Sequence, residues 1–179
     1  MTRYLLLFVW LSFAACTQTD IEKVNILTKN VADMPVETGK NVLIHYTDSG
    51  IIRARVFAPV MKRFASEERN ETEMAKGITV YFLNKQQKTE SSLRARYAIR
   101  YERDHKMVAK NDVILVNVKG DTLRTELLTW DETKQLIYTD KYVRITTPTE
   151  IITGVGFESN AEFTRYKIKQ ISGTFDLDK

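Results

Sequence analysis

Few side chains in this 179-residue chain are of the type and spacing that does chemistry. Cys16 is the only cysteine, so the chain has no disulfide of its own and no cysteine pair for a metal. The two histidines, His45 and His105, lie far apart, and neither has a second ligand at metal spacing. There is no Gly-rich phosphate loop and no serine nucleophile elbow. Acidic residues are plentiful but scattered over turn-like segments, with nothing that marks a catalytic carboxylate pair. These residues argue against an enzyme, and no metal or cofactor is expected. Two arginine pairs stand out instead, Arg53/Arg55 and Arg94/Arg96, set in Ile-Arg-Ala-Arg and Leu-Arg-Ala-Arg. In a strand that spacing puts both guanidinium groups on one face. They form either a solvated outer sheet face or a basic rim able to meet phosphates and acidic surfaces.

The setting of Cys16 gives its thiol a different task. Arg3 is followed by an apolar run, and Ala14-Ala15 stand just before the cysteine. A basic start, an apolar core and a small pair make residues 1–15 a secretory signal. The run from Tyr4 to Ala15 is 12 residues, against about 20 for a helix that spans a bilayer. Cleavage alone would leave a partnerless thiol in an oxidising compartment, whereas acylation accounts for both its solitude and its position. The segment resembles a bacterial lipoprotein signal, except that Phe13 stands where an aliphatic residue is usual. Cys16 is therefore expected to carry lipid and to tie an exported chain to a membrane.

Beyond the signal, 164 residues (179 less 15) suit one domain with a real core. Losing Arg3 lowers the formal charge from +4 to +3, a small excess that is no nucleic-acid footprint. Residues 16–40 are mostly polar, include Pro35 and Gly39, and read as a tether. From residue 41 to 179 the pattern becomes one of strands. Val42 to Tyr46 leads into a turn at Thr47-Asp48-Ser49-Gly50, and Ile51 to Ala58 alternates with period two. Lys62 to Lys76 is so charged that it reads as a loop. Ile78 to Leu83 is the next strand, and Ser92 to Tyr101 the one after.

Leu93-Arg94 returns as Leu123-Arg124, and the stretch from Leu93 to Leu115 lies over that from Leu123 to Ile145 at a spacing near 30. Each unit reads as a strand, a charged turn, a strand, and a third strand after Asn111-Asp112 or Asp140-Lys141. A fixed period of this kind marks stacked units that bury one another's apolar faces. No helical stripe of useful length follows the tether. The expected fold is all-β, a stack of short antiparallel strands that must close, double or pair its edges. Its apolar interior is either a plain core or a groove for an elongated apolar ligand, because both want the same aromatic and aliphatic residues.

In order along the chain, Tyr46-Thr47-Asp48-Ser49-Gly50, Ala54-Arg55-Val56-Phe57-Ala58-Pro59, Met74-Ala75-Lys76-Gly77-Ile78 and Ala95-Arg96-Tyr97-Ala98 are followed by Thr129-Trp130-Asp131 and Ile137-Tyr138-Thr139-Asp140. Val143-Arg144-Ile145-Thr146-Thr147-Pro148 and Gly154-Val155-Gly156-Phe157-Glu158-Ser159-Asn160 complete the set. Together, over about residues 40 to 175, they resemble the LptC family of lipopolysaccharide export, in a lipoprotein form. The resemblance implies an antiparallel β-jelly roll that takes lipid A acyl chains inside and is not an enzyme. It implies an inner-membrane ABC transporter as donor and an LptA-like periplasmic jelly roll, paired edge to edge, as acceptor. It places the domain at the periplasmic face of the inner membrane, with Cys16 standing in for a spanning helix. Alternation supplies the candidate groove residues: Ile52, Ala54, Val56, Val80, Phe82, Leu93, Ala95, Tyr97, Val143 and Ile145. The alternative is a structural envelope lipoprotein with a dry interior. A jelly-roll enzyme acting on envelope polysaccharide ranks last.

Overall fold

The computed structural model describes residues 34–172. The signal segment, Cys16 and most of the tether lie outside the described residues. Eleven strands follow one another: β1 (Glu37–Asp48), β2 (Ile51–Ala65), β3 (Asn70–Met74), β4 (Ile78–Leu83), β5 (Thr89–Ala95) and β6 (Tyr97–Tyr101). They continue as β7 (Lys106–Asn117), β8 (Thr122–Asp131), β9 (Leu136–Thr146), β10 (Ile151–Asn160) and β11 (Tyr166–Ile171). The all-β expectation holds, and every pairing is antiparallel.

The long strands are bent once, and the bends line up. Asn41 on β1 (φ 51°) faces Pro59 on β2, between the pairs Lys40–Val60 and Val42–Ala58. The line continues through Gly77, which joins β3 to β4, and Arg96, which separates β5 from β6. It crosses β7 at Asn111 and Asp112, where the ladder to β8 shifts between Lys110 and Val113, and reaches β10 at Gly156. Each bend needs a residue that tolerates a broken ladder. Pro59 has no N–H to lose. Gly77 (φ 89°) and Gly156 (φ 78°) adopt left-handed backbone, and a Cβ on Gly77 would lie 2.8 Å from the Ala95 carbonyl oxygen.

This crease divides the sheet into two leaves. Leaf 1 holds β4 and β5 between the first half of β2 and the second half of β7. Leaf 2 holds β3 and β6 between the second half of β2 and the first half of β7. β8, β9, β10 and β11 run on through both leaves. The inner faces pack on each other: the Trp130 ring of leaf 2 meets Phe82 of leaf 1 edge-on, 5.0 Å between centroids. One apolar core fills the space between the leaves.

Four local readings change. β1 begins at Glu37, inside the stretch read as tether, because Thr38 to Lys40 pair with Val60 to Lys62. Lys62 to Lys76 is not a loop, since β2 runs on to Ala65 and β3 follows. Thr72 and Met74 of β3 are buried while Glu71 and Glu73 lie on the other face, so the charges hid a normal alternation. Asn111-Asp112 and Asp140-Lys141 are bends inside single strands and do not start new ones. Ser92 to Tyr101 is two strands, broken at Arg96.

Candidate functional site

One cross-strand row runs through leaf 1 from end to end. Ile44 lies opposite Val56, Val56 opposite Val80, Val80 opposite Leu93, and Leu93 opposite Leu115. The row continues from Leu115 to Leu123, to Ile145 and to Ile152 on β10. All eight residues are aliphatic. The six central ones are at most 4 % exposed, while Ile44 and Ile152 at the two ends are only half-buried. Leaf 2 answers with Met74, Ala98, Met107, Ala109, Leu128 and Ile137. The repeat seen in the sequence thus has a direct cause: Leu93, Leu115, Leu123 and Ile145 are successive neighbours in one seam.

Nearly all the candidate groove residues belong to this interior. Ala54, Val56, Val80, Phe82, Leu93, Ala95, Val143 and Ile145 are buried in the core, whereas Ile52, half-buried, pairs with Thr47 beyond an irregularity in β2 and is not packed against it. Tyr97 is the second exception. The break at Arg96 resets the alternation, so Ala98 faces inward and Tyr97 outward, where its hydroxyl donates to Glu73 Oε1 at 3.0 Å. Its partial burial and that bond push its pKa up to about 12.

Arg53 is corrected as well. Tyr46 pairs with Ala54 but Thr47 with Ile52, so Arg53 is the extra residue of a β-bulge. Bulges re-aim side chains. The Arg53 guanidinium reaches Glu162 in the β10–β11 turn at 3.7 Å and does not join Arg55 on the outer face.

The turns opposite the crease form a mouth. A hollow of about 340 Å³ there is lined by Tyr46, Arg53, His105, Trp130, Glu132 and Gln135, among others. Behind its wall Arg100 makes a bidentate pair with the lining residue Glu132 (2.7 and 2.9 Å) and a further contact with Glu102. Its guanidinium lies 5.3 Å from the Tyr46 ring centroid, and desolvation pushes the Tyr46 phenol up to about 12. Trp130 Nε1 is buried without an acceptor among the described residues. Farther along, the β10–β11 turn folds over leaf 1: Ser91 Oγ donates to the Ala161 carbonyl (2.6 Å) and Asn117 Nδ2 to that of Phe163 (2.9 Å). Sequence reasoning missed Arg100. The only clue was that counting alternation from Ala98 instead of Ala95 turns it inward.

His45 sits on the outer face opposite Arg55, and His105 lies in the turn at the mouth. Among the described residues no group of three or more His, Cys, Asp or Glu is placed to hold a metal ion. β1 pairs only with β2 and β11 only with β10, so among the described residues the sheet has two free edges. The arrangement offers a long apolar seam, half-open at both ends, with a strand template beside each opening.

No curated protein matches the chain. Residues 4–174 match the family model described as lipopolysaccharide-assembly, LptC-related; the chain therefore belongs to the LptC family, whose role is in lipopolysaccharide transport and which is associated with the periplasmic side of the inner membrane.

Proposed function

We propose that this protein relays lipopolysaccharide, taking its acyl chains from an inner-membrane ABC transporter and passing them to an LptA-like periplasmic protein. The observation that carries the reading is the unbroken aliphatic row from Ile44 to Ile152, which ends in half-buried residues on both sides. A core that served packing alone has no need to stay apolar from the edge strand β1 out to β10, next to the other edge. The seam is closed at its centre, so acyl chains enter by parting the leaves and replace protein contacts with equivalent apolar ones. The mouth hollow, with Arg53 in it, lies where a phosphorylated headgroup would stay outside the seam.

The free edges of β1 and β11 suit strand addition by a donor on one side and an acceptor on the other. Acylated Cys16 holds the domain at the periplasmic face of the inner membrane in this reading. The test is photo-crosslinking in cells from Val80 or Leu93. Lipopolysaccharide adducts that depend on transporter activity are expected. Their absence from every interior position, with the transporter working, would leave a dry scaffold as the better account.

A further inference from the structure

The outward face of leaf 1 carries a charge pattern that folding does not explain. Across the strands Arg94 lies beside Ile114, Ile114 beside Arg124, and Arg124 beside Arg144. Arg55 stands on the same face, opposite Tyr81. Like charges directly opposite one another destabilise a sheet. None of Arg55, Arg94, Arg124 and Arg144 has an ion pair among the described residues. The row Phe57, Thr79, Arg94, Ile114, Arg124, Arg144 contains no acid. Nor does the next row, Arg55, Tyr81, Ser92, Val116, Thr122, Thr146.

Spacing and company narrow what the arginines can meet. They are spread over six neighbouring strands, about 24 Å of sheet, too widely to converge on one small anion. Exposed apolar groups lie among them: Phe57, Tyr81 and Tyr142 are 39, 44 and 55 % exposed. Arginines that reach for phosphates while aromatic rings settle at headgroup depth are the pattern of a membrane interface. Near the crease the same face sinks into a hollow of about 350 Å³ lined by Phe57, Lys76, Arg94, Arg96, Ile114 and Asp112, among others. Asp112 is already paired with Arg96 at 3.1 Å, which leaves Lys76 and Arg94 to face a headgroup phosphate.

We propose that the outer face of leaf 1 docks on an anionic phospholipid surface through Arg55, Arg94, Arg124 and Arg144. This contact is separate from the seam and needs no lipopolysaccharide. The test uses the full chain with Thr79, Tyr81 or, on the outward face of leaf 2, Tyr138 replaced by benzoylphenylalanine. The chain is irradiated with vesicles of phosphatidylcholine and phosphatidylglycerol, or of phosphatidylcholine alone. Phospholipid adducts are expected from positions 79 and 81 but not 138, and only where phosphatidylglycerol is present. High salt should lower them about tenfold, since the attraction is screened. Replacing Arg94, Arg124 and Arg144 together by Gln should lower them by about a hundredfold, at roughly 1 kcal/mol per arginine. A melting curve checks that variant's fold, and the salt and lipid arms decide the matter if it fails to fold. Equal adducts from both leaves, indifference to lipid charge, or adducts to protein in place of lipid would overturn the proposal.

Discussion

On the outside of leaf 2, charges meet partners; on the outside of leaf 1, four arginines do not. Lys62 faces Glu73 across β2 and β3, Arg69 pairs with Glu71 and Glu73, and Lys169 holds Glu158 at 2.9 Å. Tyr97 adds its hydroxyl to Glu73. Leaf 1 places Arg124 against Arg144 with no acid between them. Both leaves bury the same kind of apolar face, so the contrast lies outside the core. Paired charge serves the fold, and unpaired charge of one sign is available to something else.

The comparison can be broken at three places. Arg100 tests the paired charge on the inward side of leaf 2, at the mouth. Arg100→Met leaves Glu132 without its partner near the mouth and should cost about 3–5 kcal/mol in urea unfolding. A loss near zero would mean that paired charge in this leaf does not serve the fold. Tyr97→Phe is the next step down, about 1 kcal/mol for one hydrogen bond. The folded phenol titrates near 12 and the unfolded one near 10, so the folded state holds its proton more tightly. That contribution is complete below pH 10 and is lost as pH rises from 10 towards 12. Tyr97→Phe should therefore flatten part of the alkaline fall in stability, with Tyr46 supplying another part.

The smallest effect carries the opposite sign. Arg124→Thr or Arg144→Thr should raise stability by about 0.2–1 kcal/mol by relieving the facing charges. A clear loss in the same unfolding assay would show that these arginines are structural after all.

Much of leaf 1 was legible because its strands alternate cleanly. Ala54 and Val56 point one way, and the Leu93/Leu123 repeat survives as a seam of direct neighbours. Leaf 2 was harder to read. In β3 the inward positions are only Thr72 and Met74, and the flanking glutamates looked like solvated loop. Arg53 and Tyr97 were assigned to the wrong faces for one shared reason: a bulge or break shifts the count by a residue, and period-two reasoning has no marker for the shift. Arg100 escaped for the same cause. The mouth joins turns far apart in sequence, so its hollow had no local signature.

The crease has a consequence for how such a chain tolerates insertions and deletions. A flat strand that gains one residue turns every later side chain to the wrong face. Here each long strand already contains a point where pairing lapses, as at Asn111-Asp112 and Gly156. A one-residue change in one leaf can be taken up there, leaving the other leaf in register. The bend is thus a slack joint that lets the two halves of each strand drift apart in length without corrupting one another.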